Sequence, residues 1–148
     1  MDELGFYNST VFRVVEKGQS QGASALSPYE KCLYLIVEFD AILNMEGITG
    51  FYVSSLSDEL DNTAEALEMI GAKESARLLR KANSLFPGGK PPTDPKKFDR
   101  VFNTIEAAIL PELNRIEAKI LERPDGLEEK LHAFVKHNRS QFNTDKPA

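Results

Sequence analysis

The strongest constraint on this chain is a twelve-residue run, Cys32–Leu43 (CLYLIVEFDAIL), in which ten residues are apolar. A membrane-crossing helix takes ~20 apolar residues, and Glu38 and Asp40 interrupt this run, so the rest of the chain must bury it. Its flank decides between helix and strand. Ser27-Pro28-Tyr29-Glu30 places Ser at an N-cap, Pro at the first helical position and Glu two residues later, as a capping box requires. The pattern predicts a central helix from Pro28 to about Glu46, buried on most sides and ended by Gly47.

Helical spacing recurs on both sides of that element. Leu60, Ala64, Leu67 and Ile70 form an apolar stripe, with Gly71 where a left-handed C-terminal cap belongs. Ala76, Leu79, Ala82 and Phe86 repeat the pattern, so Ser57–Phe86 reads as an antiparallel helical hairpin. Residues 87–95 (PGGKPPTDP) hold four prolines and two glycines, a density that predicts an exposed loop. Phe98, Val101, Phe102, Ile105 and Ile109 then resume helical spacing. Pro111 is expected to break or kink that helix, with Leu113, Ile116 and Ile120 on a new one. Asp125-Gly126-Leu127-Glu128 offers a cap for a last helix, with Leu131, Phe134 and Val135 inward and a tail frayed over 141–148. At the N-terminal side Leu4, Tyr7, Val11 and Val15 fit a helix of poor formers, followed by a flexible connector over 18–24. The expectation is all-α: one domain, residues 1–148, as a compact bundle of about six to seven helices around the central apolar one.

At 148 residues a chain can bury a core without staples, and the single Cys32 excludes an internal disulfide framework. The acidic start MDELGFYNST lacks the basic-then-apolar order of a secretory leader, so the expected location is cytoplasmic. A net charge of −5 argues against direct nucleic-acid binding, which takes a basic surface.

The segment Ala66–Phe86 (ALEMIGAKESARLLRKANSLF) resembles a bacterial domain-of-unknown-function family named for the C-terminal domain of a DNA-mimic protein. The corresponding pieces are the capped helix Ser27–Glu46, Gly50-Phe51 as a turn, Ile70-Gly71-Ala72, Leu85-Phe86-Pro87 and the closing helix Leu127–Phe142. The family's turn usually reads Asn-Gly-Gly-Phe followed closely by Gln. Here Ile48-Thr49-Gly50-Phe51-Tyr52-Val53 lacks the Asn, one Gly and the Gln. The resemblance implies an all-α fold and, more weakly, DNA mimicry.

Charge is segregated along the chain. Residues 38–74 carry nine acids and one base, or −8, whereas residues 75–100 carry seven bases and two acids, or +5. Asp58, Asp61, Glu65 and Glu68, spaced by three and four, are expected on one helix face opposite Leu60 and Leu67. These four are the candidate partner-binding residues. Such a stripe meets a basic surface, but the macrodipole also favours acids at a helix start, and Lys73, Arg77, Arg80 and Lys81 on the next helix could neutralise it. Four carboxylates over ~15 Å of helix give about one per 4–5 Å. Duplex DNA carries one per ~1.7 Å, so mimicry would need acids from Glu38–Glu46 or the second subunit of a homodimer.

Other chemistry fails on spacing. Gly88-Gly89-Lys90 is followed by Pro91, and Ser84 stands where a phosphate loop needs its first Gly. Glu129 and His132 match half of a di-iron motif, but the only other histidine, His137, has Phe134 three residues earlier. Cys32 reads as a small core residue, and Glu38 and Asp40 point to different sides of their helix. The expected function is a non-enzymatic, cofactor-free and metal-free protein-interaction domain with an acidic face for a basic partner, a DNA-binding regulator or, for an immunity-type protein, a toxin. Two alternatives stand beside it: a small-molecule or enzymatic site at the Gly47–Ser55 turn, lined by Tyr52, Ser54 and Ser55, and a ligand-free dimerisation module.

Overall fold

A computed structural model describes residues 2–142. The expected box at Ser27 forms: its hydroxyl accepts from the Glu30 N–H at 3.2 Å, and the Glu30 carboxylate accepts from the Ser27 N–H at 2.9 Å. It opens α2 (Pro28–Tyr52), whose Leu33, Leu35, Ile36, Phe39 and Leu43 are fully buried. The other elements are α1 (Glu3–Gln21), α3 (Leu60–Met69), α4 (Lys73–Ser84), α5 (Pro95–Leu121), α6 (Leu127–His137) and α7 (Arg139–Phe142). Short 3-10 turns span Ala23–Ala25 and Pro87–Gly89, and the described residues contain no strand. The fold is an all-α bundle in which α2 packs against α1, α3, α5 and α7, while α4 joins α3 to α5 and α6 leans on α1. No helix among the described residues is long and apolar enough to cross a membrane.

Gly47 leaves helical geometry as expected (φ 78°, ψ −179°), but the helix restarts directly and runs to Tyr52. The restart exposes the Ile48 N–H inside the core, and the Glu117 carboxylate on α5 accepts from it at 2.7 Å. Gly50-Phe51 is therefore helix rather than turn, with Phe51 fully buried against Phe39. The hairpin forms as α3 and α4. At its joint Gly71 has φ 92°, and the N–H groups of Gly71 and Ala72 return to the Glu68 and Leu67 carbonyls at 3.0 and 2.8 Å. That is the paired bonding of a left-handed helix end.

Four expectations need correction. Pro111 lies inside α5, which continues as one element to Leu121. Its missing N–H costs the helix one bond, but Pro111 is exposed, so water can take the freed carbonyl, while Phe98 before it and Leu113, Ile116 and Ile120 after it fasten both halves. The connector over 18–24 is largely helix, since α1 runs through Gln21. Gly18 is needed there because the Tyr34 ring lies 2.5 Å from where its Cβ would stand. Gln141 and Phe142 belong to α7 rather than to a frayed tail: Phe142 is fully buried, and its carbonyl accepts from the Arg13 guanidinium on α1. The rest of that tail, 143–148, lies outside the described residues. Finally, Asp125 does not cap α6. Gly126 takes that position in a left-handed conformation, and the Asp125 carboxylate accepts from the Glu74 and Ser75 N–H groups at 3.2 and 2.8 Å, capping α4.

Three further contacts fasten α1 to the C-terminal elements. Tyr7 stacks on His132 at 3.7 Å, Lys136 pairs with Glu3 at 3.2 Å, and the Arg139 guanidinium lies 3.8 Å over the Phe6 ring.

Candidate functional site

α3 is a surface helix. Leu60, Thr63, Ala64, Ala66 and Leu67 face the core, leaving Asp61, Glu65 and Glu68 exposed within a narrow arc. Asp58, expected on the same face, sits in the turn before the helix rather than on it, and is also exposed. The acidic surface is thus three helical carboxylates extended by one from the loop.

The neighbouring bases largely turn elsewhere. Arg80 alone crosses from α4, binding Glu68 at 2.8 Å. Arg77 pairs with Glu74 on its own helix at 2.5 Å, holding that carboxyl below the usual range, and Lys81 reaches Glu112 on α5 at 3.4 Å. Among the described residues Lys73 has no ion pair, and neither do Asp58, Asp61 and Glu65. The division follows from helix geometry: adjacent residues project ~100° apart, so Arg80 and Lys81 face different neighbours.

Three surface grooves connect these acids. Glu65 borders one between α2 and α3 with Asn62, Cys32 and Met69. Asn62 also borders a second, with Asp58, Asp61, Asn83 and Lys90. Asp58 continues into a third, with Glu38 on α2 and Glu59. Glu59 is paired with Lys31 at 3.1 Å, and Lys90 stands beside Asp58 and Asp61. Six acids (Glu38, Asp58, Glu59, Asp61, Glu65, Glu68) against three bases (Lys31, Arg80, Lys90) leave this surface three charges negative. Glu38, expected only as one of the acids that could supplement the stripe, stands on the same groove as Asp58, a placement periodicity does not give because it depends on how α2 packs under the 53–59 turn.

The Gly47–Ser55 alternative loses its principal residues to the core. Tyr52 is fully buried between Phe86 and Phe98, and its hydroxyl donates to Asn83 at 2.8 Å. Burial drives its pKa far up. Ser54 closes its own turn, donating to the Phe51 carbonyl and accepting from the Leu56 N–H. Only Ser55 borders one of the grooves described above. Cys32 is buried with its Sγ 3.6 Å from the Ala66 carbonyl, and burial pushes the thiol up to about 12, where it is a poor nucleophile. His132 stacks on Tyr7 and lies 3.8 Å from Glu128. Among the described residues no group of three or more His, Cys, Asp or Glu side chains could hold a metal ion.

The model of a family described as DMP19-like protein matches residues 24–138, a segment that holds α2 to α6 and leaves α1 ahead of it. No curated protein and no solved structure matches the chain.

Proposed function

The chain belongs to the DMP19-like protein family, and from that membership we propose a non-enzymatic interaction domain that presents the α3 acidic face to a basic protein surface, the DNA-binding face of a regulator. The observation that carries this reading is that, among the described residues, Asp58, Asp61 and Glu65 have no ion pair, beside a helix on which Arg77 and Lys81 engage other partners and only Arg80 reaches the row, at Glu68. Like charges at these helical spacings cost ~0.2–0.5 kcal/mol per pair, and α3 is held by its apolar side without them. An exposed carboxylate row in excess over its neighbouring bases raises the association rate of a basic partner and makes binding fall steeply with salt.

The row alone remains sparser than DNA. Asp61 to Glu68 spans ~10 Å of helix with three carboxylates, whereas one DNA strand carries a phosphate every ~3.4 Å. Glu38, Asp58 and Glu59 lengthen it across the 53–59 turn, and a second copy of the chain would lengthen it again.

The test is charge reversal. Immobilised full-length protein should retain DNA-binding proteins from the source organism at low salt, releasing them to high salt and to competing duplex DNA. Asp61→Lys with Glu65→Lys should abolish retention while changing stability by less than about 1 kcal/mol. Retention unchanged by the reversal, or insensitive to duplex DNA, refutes the proposal.

A further inference from the structure

The groove of about 470 Å³ between the end of α1, the Ala23–Ala25 turn, α2 and the 53–59 turn carries more than acids. Tyr34 borders it and is 5% exposed, with its ring edge against the Gly18 backbone. Among the described residues the Tyr34 hydroxyl has no hydrogen-bond partner. Glu38 follows one helical turn on and borders the same groove; burial first, then this carboxylate, raises the Tyr34 pKa. The ring is buried while the hydroxyl is not sealed in the core, so its oxygen is open to a donor in the groove.

The rest of the lining has one sign. Glu38 holds only the Gln19 amide at 3.3 Å, and Asp58 has no ion pair among the described residues. Glu59 is matched by Lys31, which does not itself border the groove, and no basic side chain does. α1 ends here with no base in its last turn, so the negative end of its dipole adds to the field. Among the described residues no three of these side chains come together as metal ligands, so the groove suits an organic cation rather than a metal ion with its short ligand distances. Ala23, Leu56 and the Tyr34 ring supply an apolar wall for a methylene stem. The volume falls within the ~300–1,000 Å³ of small-molecule sites.

We propose that this groove binds an organic cation, a protonated amine or guanidinium on a short aliphatic stem, with its charge held by Glu38 and Asp58 and an N–H donated to the Tyr34 hydroxyl. Free polyamines and the side chain of a lysine or arginine share this chemistry. The groove shares Glu38, Asp58 and Glu59 with the partner-binding reading, whereas Asp61 and Glu65 do not border it.

The test is calorimetric titration of the full-length protein with putrescine, spermidine and agmatine, and in a second arm with Nα-acetyl-lysine methylamide as the peptide-borne form. One equivalent should bind, with amide shifts in the NMR spectrum centred on Gly18, Gly22 and Ser55. Glu38→Gln and Asp58→Asn should each weaken binding at least about tenfold, because each removes a charged hydrogen-bond acceptor. Tyr34→Phe should weaken it less. Magnesium chloride at matched ionic strength should not compete. The tighter arm names the source. Asp61→Lys/Glu65→Lys should keep amine binding while losing partner capture, so the two proposals fail separately. No binding in either arm, or binding unchanged in both Asp58→Asn and Glu38→Gln, overturns the inference; Asp58 is exposed and outside any helix, so its variant folds.

Discussion

Replacing Glu117 by alanine should cost about 2–3 kcal/mol, although the side chain lies on a surface helix far from α2 in sequence. Its carboxylate accepts from the Ile48 N–H at 2.7 Å, at a residue only 1% exposed, where water cannot take over the donor. Hydrogen bonds to charged groups contribute about 1.5–3 kcal/mol, and a buried donor left unpaired costs a comparable amount. For a chain of this size about 1 kcal/mol moves Tm by ~2–4 °C, so Glu117→Ala should melt roughly 5–10 °C lower in far-ultraviolet circular dichroism. Glu117→Gln keeps an acceptor of the same reach and should lose about a third to half of that. Gly47→Ala supplies the cross-check. Its φ of 78° with ψ near 180° is open essentially to glycine alone, and an added Cβ would stand 2.9 Å from the Glu117 carboxylate oxygen. Removing Glu117 relieves the contact but not the torsion. The double variant should therefore be about 1 kcal/mol more stable than the two single losses predict when summed. Additivity within about 0.3 kcal/mol, or an alanine variant melting within about 1 °C of the parent, would refute the reasoning.

Two further outcomes follow from the same geometry. Asp125→Ala should destabilise by about 1–2 kcal/mol in urea unfolding, since α4 loses the acceptors for its Glu74 and Ser75 N–H groups, while Asp125→Asn, which keeps one acceptor oxygen of the two, should lose about half as much. Stability should also fall at alkaline pH. Burial first, then Glu128 and Asp40, raise the Tyr7 phenol from 10.0 to about 12, and burial raises the Cys32 thiol from 9.0 to about 12. The unfolded chain therefore loses these protons first, and the stabilisation present below pH 9 is lost progressively up to about 12. Tyr7→Phe should flatten the part of the decline above pH 10, and a parent protein equally stable at pH 8.5 and 11 would contradict the assignment.

What could be read from residues alone was the local part of the fold. Ser27, Pro28 and Glu30 mark the start of α2 because all the atoms of a capping box lie within one turn. Gly71 ends α3 for the same reason. The misreadings share a different cause. Whether Gly47 ends a helix or only interrupts it is decided by Glu117, which takes the N–H of Ile48 from sixty-nine residues on, and Asp125 serves α4 fifty residues before it. Pro111 would end an isolated helix, yet packing on both sides of it holds α5 together. The acidic stripe was legible as residues but not as a surface: spacing placed Asp61, Glu65 and Glu68 on one face, while only tertiary packing shows Arg80 turned toward it and Lys81 away.

The attachment of α1 to α6 and α7 has a bearing on how the molecule is made. Tyr7 meets His132 and Arg13 meets Phe142, separations of 125 and 129 residues. Closing loops of that length costs on the order of 4 kcal/mol in chain entropy, so these contacts form after α2 to α5 have assembled a surface to close upon. During synthesis at ~5–20 residues per second, the first half of α1 waits roughly 6–25 s for its partners to leave the ribosome. Its second half, around Val14 and Gly18, meets α2 much sooner. The nascent chain thus carries Phe6 and Tyr7 uncovered while the residues between them and α6 are made. Chaperone capture, and aggregation when expression outruns it, will concentrate on that first turn and a half of helix.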